Sequence, residues 1–123
     1  MEKEANAWTQ RKHSSMQLDD YQENAKKTAI YAPEHRIMYP ALGLSGEAGE
    51  VANKVKKIMR DGLQKLPPDW KYQLSSEIGD VLWYCAVLAD DLNLSLGTIA
   101  AQNIEKLERR QKVGTLQGNG DKR

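Results

Sequence analysis

The chain of 123 residues reads as an all-α protein. Phe is absent and the sparse β-branched residues never alternate with polar ones, so nothing carries the period-two pattern of a strand. Apolar residues instead recur three and four apart over four separate stretches, the spacing of one helix face. Pro and Gly punctuate the gaps, at Pro33, Tyr39-Pro40, Gly62 and Pro67-Pro68. The expected architecture is a single four-helix-bundle-like domain over residues 18–112, with a polar arm over 1–17 before it. The glycine-rich tail over 113–123 is expected to be flexible by composition.

The first helix is expected from about Leu18 to Thr28, with Leu18, Tyr21 and Ala25 on one face. Asp19 and Asp20 suit its positive N-terminal end. A loop through Pro33 and Tyr39-Pro40 follows. The second helix starts near Ala41 or Leu44 and ends at Asp61-Gly62, where glycine is a natural left-handed stop. Its apolar stripe is Leu44, Ala48, Val51, Val55, Ile58 and Met59, and Glu47, Glu50 and Lys54 follow the same period on the neighbouring face.

Pro67-Pro68-Asp69 opens a third helix, to about Asp91, where the first turn has no amide to satisfy. Leu74, Ile78, Val81, Cys85, Leu88 and Leu92 make one stripe, widened by Leu82, Trp83, Ala86 and Val87 around most of the circumference. A helix so apolar must be buried on more than one side, which predicts assembly through the third helix into an oligomer. The fourth helix begins after Ser95, a good N-cap, and turns Leu96, Ile99, Ala100, Ile104 and Leu107 inward. Asn103, Lys106 and Arg110 line one edge of it.

Eighteen Lys and Arg balance seventeen Asp and Glu, so no global field recommends a nucleic acid or an anionic membrane as partner. The single cysteine, Cys85, sits in an apolar run and reads as a small buried hydrophobe. With no disulfide pair, leader or long apolar run, a cytoplasmic protein is expected.

The chemistry concentrates in two stretches, Glu47-Ala-Gly-Glu50 and Glu77-Ile-Gly-Asp80, each holding two carboxylates three residues apart and so on one helix face. Glu77 and Asp80 lie inside the most apolar helix, where unpaired charge is costly, so a cation is expected to compensate them. Gly46, Gly49 and Gly79 each cost roughly 1 kcal/mol of helix propensity beside the acids, which predicts close helix approach there. His13 and His35 fall in the arm and the loop, and no second cysteine exists, so carboxylate-histidine di-iron and zinc sites are not supported. Four carboxylates suit Mg²⁺, or Mn²⁺ in its place. Magnesium takes phosphate oxygens as further ligands, and Lys54, Lys106 and Arg110 are candidate cations for such a substrate. There is no phosphate-loop Gly-Lys-Ser/Thr, no Ser-His-Asp set and no basic stripe interleaved with Trp8, Trp70 and Trp83.

The run from Tyr39 through Glu47-Ala-Gly-Glu50-Val51, then Glu77-Ile-Gly-Asp80-Val-Leu-Trp-Tyr84, then Asn103-Ile-Glu-Lys106-Leu-Glu-Arg-Arg110, resembles the MazG-like nucleoside triphosphate pyrophosphohydrolases. These belong to the all-α pyrophosphatase superfamily that also holds dimeric dUTPases. The closing Gly118-Asn-Gly-Asp121-Lys-Arg123 is similar to the tails of small single-domain members. The resemblance implies a helical bundle forming a homodimer or homotetramer, with active sites near the subunit interface. It implies Mg²⁺-dependent cleavage between the α- and β-phosphates of a nucleoside triphosphate, giving a monophosphate and pyrophosphate. By position, Glu47, Glu50, Glu77 and Asp80 match metal ligands, and Asn103, Lys106 and Arg110 match a substrate-binding segment. Lys54, Tyr84 and Gln22 are further substrate-binding candidates. Glu50, ahead of Glu47, is the glutamate expected to hold or deprotonate the attacking water. The lysine and arginine would steady the departing pyrophosphate. Two alternatives stand beside this reading: a dUTP- or dCTP-preferring pyrophosphatase of the same superfamily, and a helical interaction module without catalysis.

Overall fold

The computed structural model describes residues 15–122, which form four helices: α1 (Leu18–Lys26), α2 (Met38–Asp61), α3 (Trp70–Asp91) and α4 (Leu96–Lys112). Single 3-10 turns stand at Pro33–His35 and Leu63–Lys65. No strand occurs among the described residues, in agreement with the all-α expectation. Of the arm expected over 1–17, residues 1–14 lie outside the described residues; Gln17 is the residue preceding α1.

The frame is an antiparallel hairpin of α2 and α3. Gly43 faces Tyr84, Glu47 meets Asp80, and Lys54 meets Glu77, so positions rise along α2 as they fall along α3. α1 packs across α3, and α4 packs against α1 and α3. Ala25, Ala86, Val87 and Leu96 form the buried centre, with Tyr21, Leu82, Trp83, Tyr84 and Cys85 packed around it.

α2 begins at Met38, a turn earlier than expected, and so takes in Tyr39 and Pro40. Pro40 is tolerated because the amide it lacks is among the first four that no helix satisfies internally. The entry is pinned from α3. The Asp91 carboxylate accepts from the Ile37 amide at 2.9 Å and from the Tyr31 hydroxyl at 2.7 Å, and Ile37 takes a positive φ of 65° there.

The start of α4 follows expectation. Ser95 Oγ accepts from the Thr98 amide at 3.1 Å and donates to Asp19 Oδ1 at 2.7 Å, joining the cap to α1. The Asp19 carboxylate, which also accepts from the Gly97 amide, is held below its ordinary pKa first by the Ser95 hydroxyl and then by that amide.

Three expectations are corrected. Met59, Ile78 and Ile104, placed on inward stripes, are 79%, 59% and 55% exposed, because one copy of the chain supplies too few helices to cover both sides of α2–α3 or the outer half of α4. Gly46, Gly49 and Gly79 have nothing within 4 Å of the position of an added Cβ; the close approach is at Gly43, against the Tyr84 ring. The tail is turned back rather than loose. The Thr115 amide donates to Arg110 O at 2.9 Å, and the Asp121 carboxylate lies 2.7 Å from Lys106 Nζ and 3.1 Å from Arg110 Nη2.

Candidate active site

Glu47 on α2 and Glu77 and Asp80 on α3 each bring a carboxylate oxygen to within 4.8 Å of the others. The spacing of three on α3 stacks Glu77 and Asp80 on one face, and the antiparallel pairing sets Glu47 opposite them. Among the described residues this is the one group of three acids, histidines or cysteines so gathered. Partial burial pushes the Glu47 carboxyl above its ordinary value, and the like charges of Asp80 and Glu77 raise it further. Three carboxylates this close repel one another, and an all-oxygen donor set is the kind that hard divalent cations take.

Glu50, expected as the fourth ligand and favoured as the group acting on water, is not in that cluster. It is exposed and lines an open depression with Ser45, Gly46 and Asn53. The pairing of α2 with α3 sets Glu47, and not Glu50, opposite Glu77 and Asp80. It still adds to the negative field that raises Glu47.

Lys54 stands two turns beyond Glu47, with Nζ 3.6 Å from Glu77 Oε1, the nearest positive charge to the acids. Tyr84 lies on the other side, its ring against Gly43. Burial raises its hydroxyl pKa first, then the neighbouring Tyr39 hydroxyl, then the charges of Glu47 and Asp80. Tyr39 stacks on Tyr31 with centroids 4.7 Å apart and lies 6.4 Å from the Tyr84 ring. Sequence reasoning did not single out Tyr39. Its spacing of four and eight residues from Gly43 and Glu47, on one helical face, was the available signal.

The remaining candidates sit elsewhere. Gln22 is buried, donating through Nε2 to Leu94 O at 2.9 Å and accepting through Oε1 from the Leu96 amide at 2.8 Å. Both ends of its amide are thus committed to the α3–α4 turn. Lys106 and Arg110 hold the Asp121 carboxylate, and Arg110 is buried with its Nε unpaired. Asn103 is exposed on α4. No helix among the described residues is long and apolar enough to cross a membrane.

Residues 38–115 match the family model described as the MazG nucleotide pyrophosphohydrolase domain. The chain is also similar to the Gene 37 protein of Mycobacterium phage L5, 43% identical over 114 residues that cover 88% of this chain and 100% of the relative. No solved structure matches it. The family match spans Glu47, Glu77, Asp80 and the hairpin that gathers them.

Proposed function

The chain belongs to the MazG nucleotide pyrophosphohydrolase domain family, and from that premise we propose that it hydrolyses nucleoside triphosphates between the α- and β-phosphates with magnesium bound to Glu47, Glu77 and Asp80. One observation carries the reading: three carboxylates from two helices converge within 4.8 Å, with Glu47 pushed up by burial and then by its neighbours. Such a set suits Mg²⁺, with Mn²⁺ as a substitute. When bound, the ion supplies positive charge that lets a polyphosphate approach the acids and polarises the phosphoryl group under attack.

The chain's own residues do the rest. Glu47, Glu77 and Asp80 would hold the ion. Lys54 neutralises Glu77 in the resting protein and turns to a phosphate oxygen when substrate arrives. In the reaction, a water oxygen bonds to the α-phosphorus while the bond from that phosphorus to the α–β bridging oxygen breaks. Pyrophosphate leaves with the electron pair, and a carboxylate takes the water's proton. Glu50, at the edge of the cluster and free of ligand duty in this arrangement, is suited to that proton. Tyr84 packs beside the acids and bounds the site. Asn103, Lys106 and Arg110 belong to the proposal as a second phosphate-binding group, which an incoming anion enters by replacing the Asp121 carboxylate.

Assembly into a homodimer or homotetramer is part of the reading, since Met59, Ile78 and Ile104 need a second copy to cover them. Light scattering of the purified protein tests it: a monomer at micromolar concentration removes this part.

The function is tested by incubating the purified chain with Mg²⁺ and a panel of ribo- and deoxynucleoside triphosphates, dUTP and dCTP included, and measuring pyrophosphate. Release from at least one substrate, abolished by EDTA, is expected. A folded protein that releases none with Mg²⁺ or Mn²⁺ is not this enzyme.

A further inference from the structure

A cavity of about 270 Å³ opens between the end of α2, the Leu63–Lys65 turn and the first turns of α3. Trp70 and Leu74 give it an apolar wall, and its lining holds three lysines, Lys54, Lys57 and Lys65, with one acid, Asp61. Asp61 is already bound to Arg60 at 2.7 Å. Lys57 and Lys65 make no ion pair within 4 Å among the described residues. The cavity therefore carries an excess of positive charge in a chain with a net charge of only +1. It also adjoins the acids directly, because Lys54 lines it and reaches to 3.6 Å from Glu77.

The other end of the groove has the opposite chemistry. One turn before Glu47 the Tyr84 ring covers Gly43, and two turns before it, about 12 Å along the axis, stands Tyr39 stacked on Tyr31. Aromatic rings offer a stacking surface to a nucleobase and nothing to a phosphate chain. Ammonium groups beside a carboxylate cluster offer the reverse.

We infer that the lysine cavity seats the terminal two phosphates of the nucleotide, so that the substrate lies along the α2–α3 groove with its sugar and base toward Tyr84 and Tyr39. The inference rests on the pyrophosphohydrolase reading and adds to it a direction and two residues, Lys57 and Lys65, outside the ligand set. It places the α–β bond at the acids and sends the departing pyrophosphate away from the base. The pyrophosphate is held by Lys54, Lys57 and Lys65 of the same chain, a seat separate from the group of Asn103, Lys106 and Arg110 on α4.

The test uses the full chain and inorganic pyrophosphate as probe, titrated calorimetrically in the presence of Mg²⁺, with a nucleoside monophosphate titrated in parallel. The double variant Lys57→Gln/Lys65→Gln removes two exposed charges, and thermal unfolding checks its fold. Pyrophosphate affinity should fall at least about tenfold, as expected for losing two charge-assisted hydrogen bonds, while monophosphate affinity stays within about twofold. KM for the triphosphate should rise with it. Tyr39→Ala should do the converse, weakening the monophosphate and sparing pyrophosphate.

The inference is overturned if wild type binds no pyrophosphate, or if the double variant keeps wild-type pyrophosphate affinity. It is equally overturned if the variant loses both ligands alike, or if Lys106→Gln takes the loss instead. A wild-type protein that binds pyrophosphate through these lysines yet hydrolyses no triphosphate would defeat the proposed reaction and leave the cavity assignment standing.

Discussion

Replacing Gly43 with alanine tests the packing that separates the acids from the aromatic end of the groove. A Cβ built on Gly43 overlaps the Tyr84 ring, with Cδ1 at 2.6 Å and Cε1 and Cζ nearer still. Carbon atoms in contact lie about 3.5–4.0 Å apart, so the ring must withdraw by at least ~1 Å. That movement is opposed by Trp83, edge-on to Tyr84 at 5.0 Å, and by Tyr39 at 6.4 Å. Forcing an extra methyl into such a contact costs about 1–3 kcal/mol, and disturbing an aromatic pair adds about 0.5–1.5 kcal/mol. Alanine's better helix propensity returns about 1 kcal/mol. The net expectation is a loss of about 1–3 kcal/mol, a fall in Tm of roughly 4–10 °C for a chain of this size. The assay is thermal unfolding by circular dichroism at one fixed protein concentration, with Gly46→Ala and Gly79→Ala as controls. Nothing lies within 4 Å of a Cβ at either control position, so each should gain up to about 1 kcal/mol from propensity alone. A Gly43→Ala protein as stable as wild type refutes the packing argument. Controls that fall as far as Gly43→Ala would show those open glycines to be covered in the assembled molecule.

Glu47→Gln removes a central carboxylate at nearly constant shape; activity should drop at least about 100-fold, on the scale of losing one group that stabilises the transition state. Differential scanning fluorimetry should at the same time show the rise in Tm with added Mg²⁺, present in wild type, to vanish in this variant. Gln22→Ala leaves Leu94 O and the Leu96 amide without their partner and should cost about 1–3 kcal/mol in chemical denaturation, with KM for substrate unchanged. Asp19 has its folded-state pKa below the unfolded 3.8, so its contribution is present above that pH and is lost as pH falls through the folded value. Asp19→Asn should therefore flatten the acid limb of a stability–pH curve below pH 3.8, and an unchanged limb would discount the Ser95 and Gly97 bonds.

The helical periods and their breaks were legible in the residues because they are local. Ser95 caps α4, Asp61-Gly62 ends α2, and Glu77 and Asp80 share a face by spacing alone. What depends on the pairing of helices was not. The register that sets Glu47 against Asp80 and leaves Glu50 outside is a property of two helices together, and neither stretch contains it. Tyr39-Pro40 read as the end of a loop, whereas a proline in a first turn costs the helix nothing. Gln22 looked polar and available; its burial follows from where the α3–α4 turn passes over α1. The tail reads as mobile by composition, yet Asp121 meets Lys106 and Arg110 fifteen and eleven residues back. The apolar stripes of α2, α3 and α4 do not all turn inward, and the exposure of Met59, Ile78 and Ile104 marks the surface that a second copy is proposed to cover.

The central claim, that the converged acids direct hydrolysis to the α-phosphorus, is tested most directly by running the reaction in ¹⁸O-labelled water with Mg²⁺ and examining the products by phosphorus NMR. The account predicts one labelled oxygen in the nucleoside monophosphate and none in the pyrophosphate. Label in pyrophosphate, or a nucleoside diphosphate with orthophosphate as products, would contradict it.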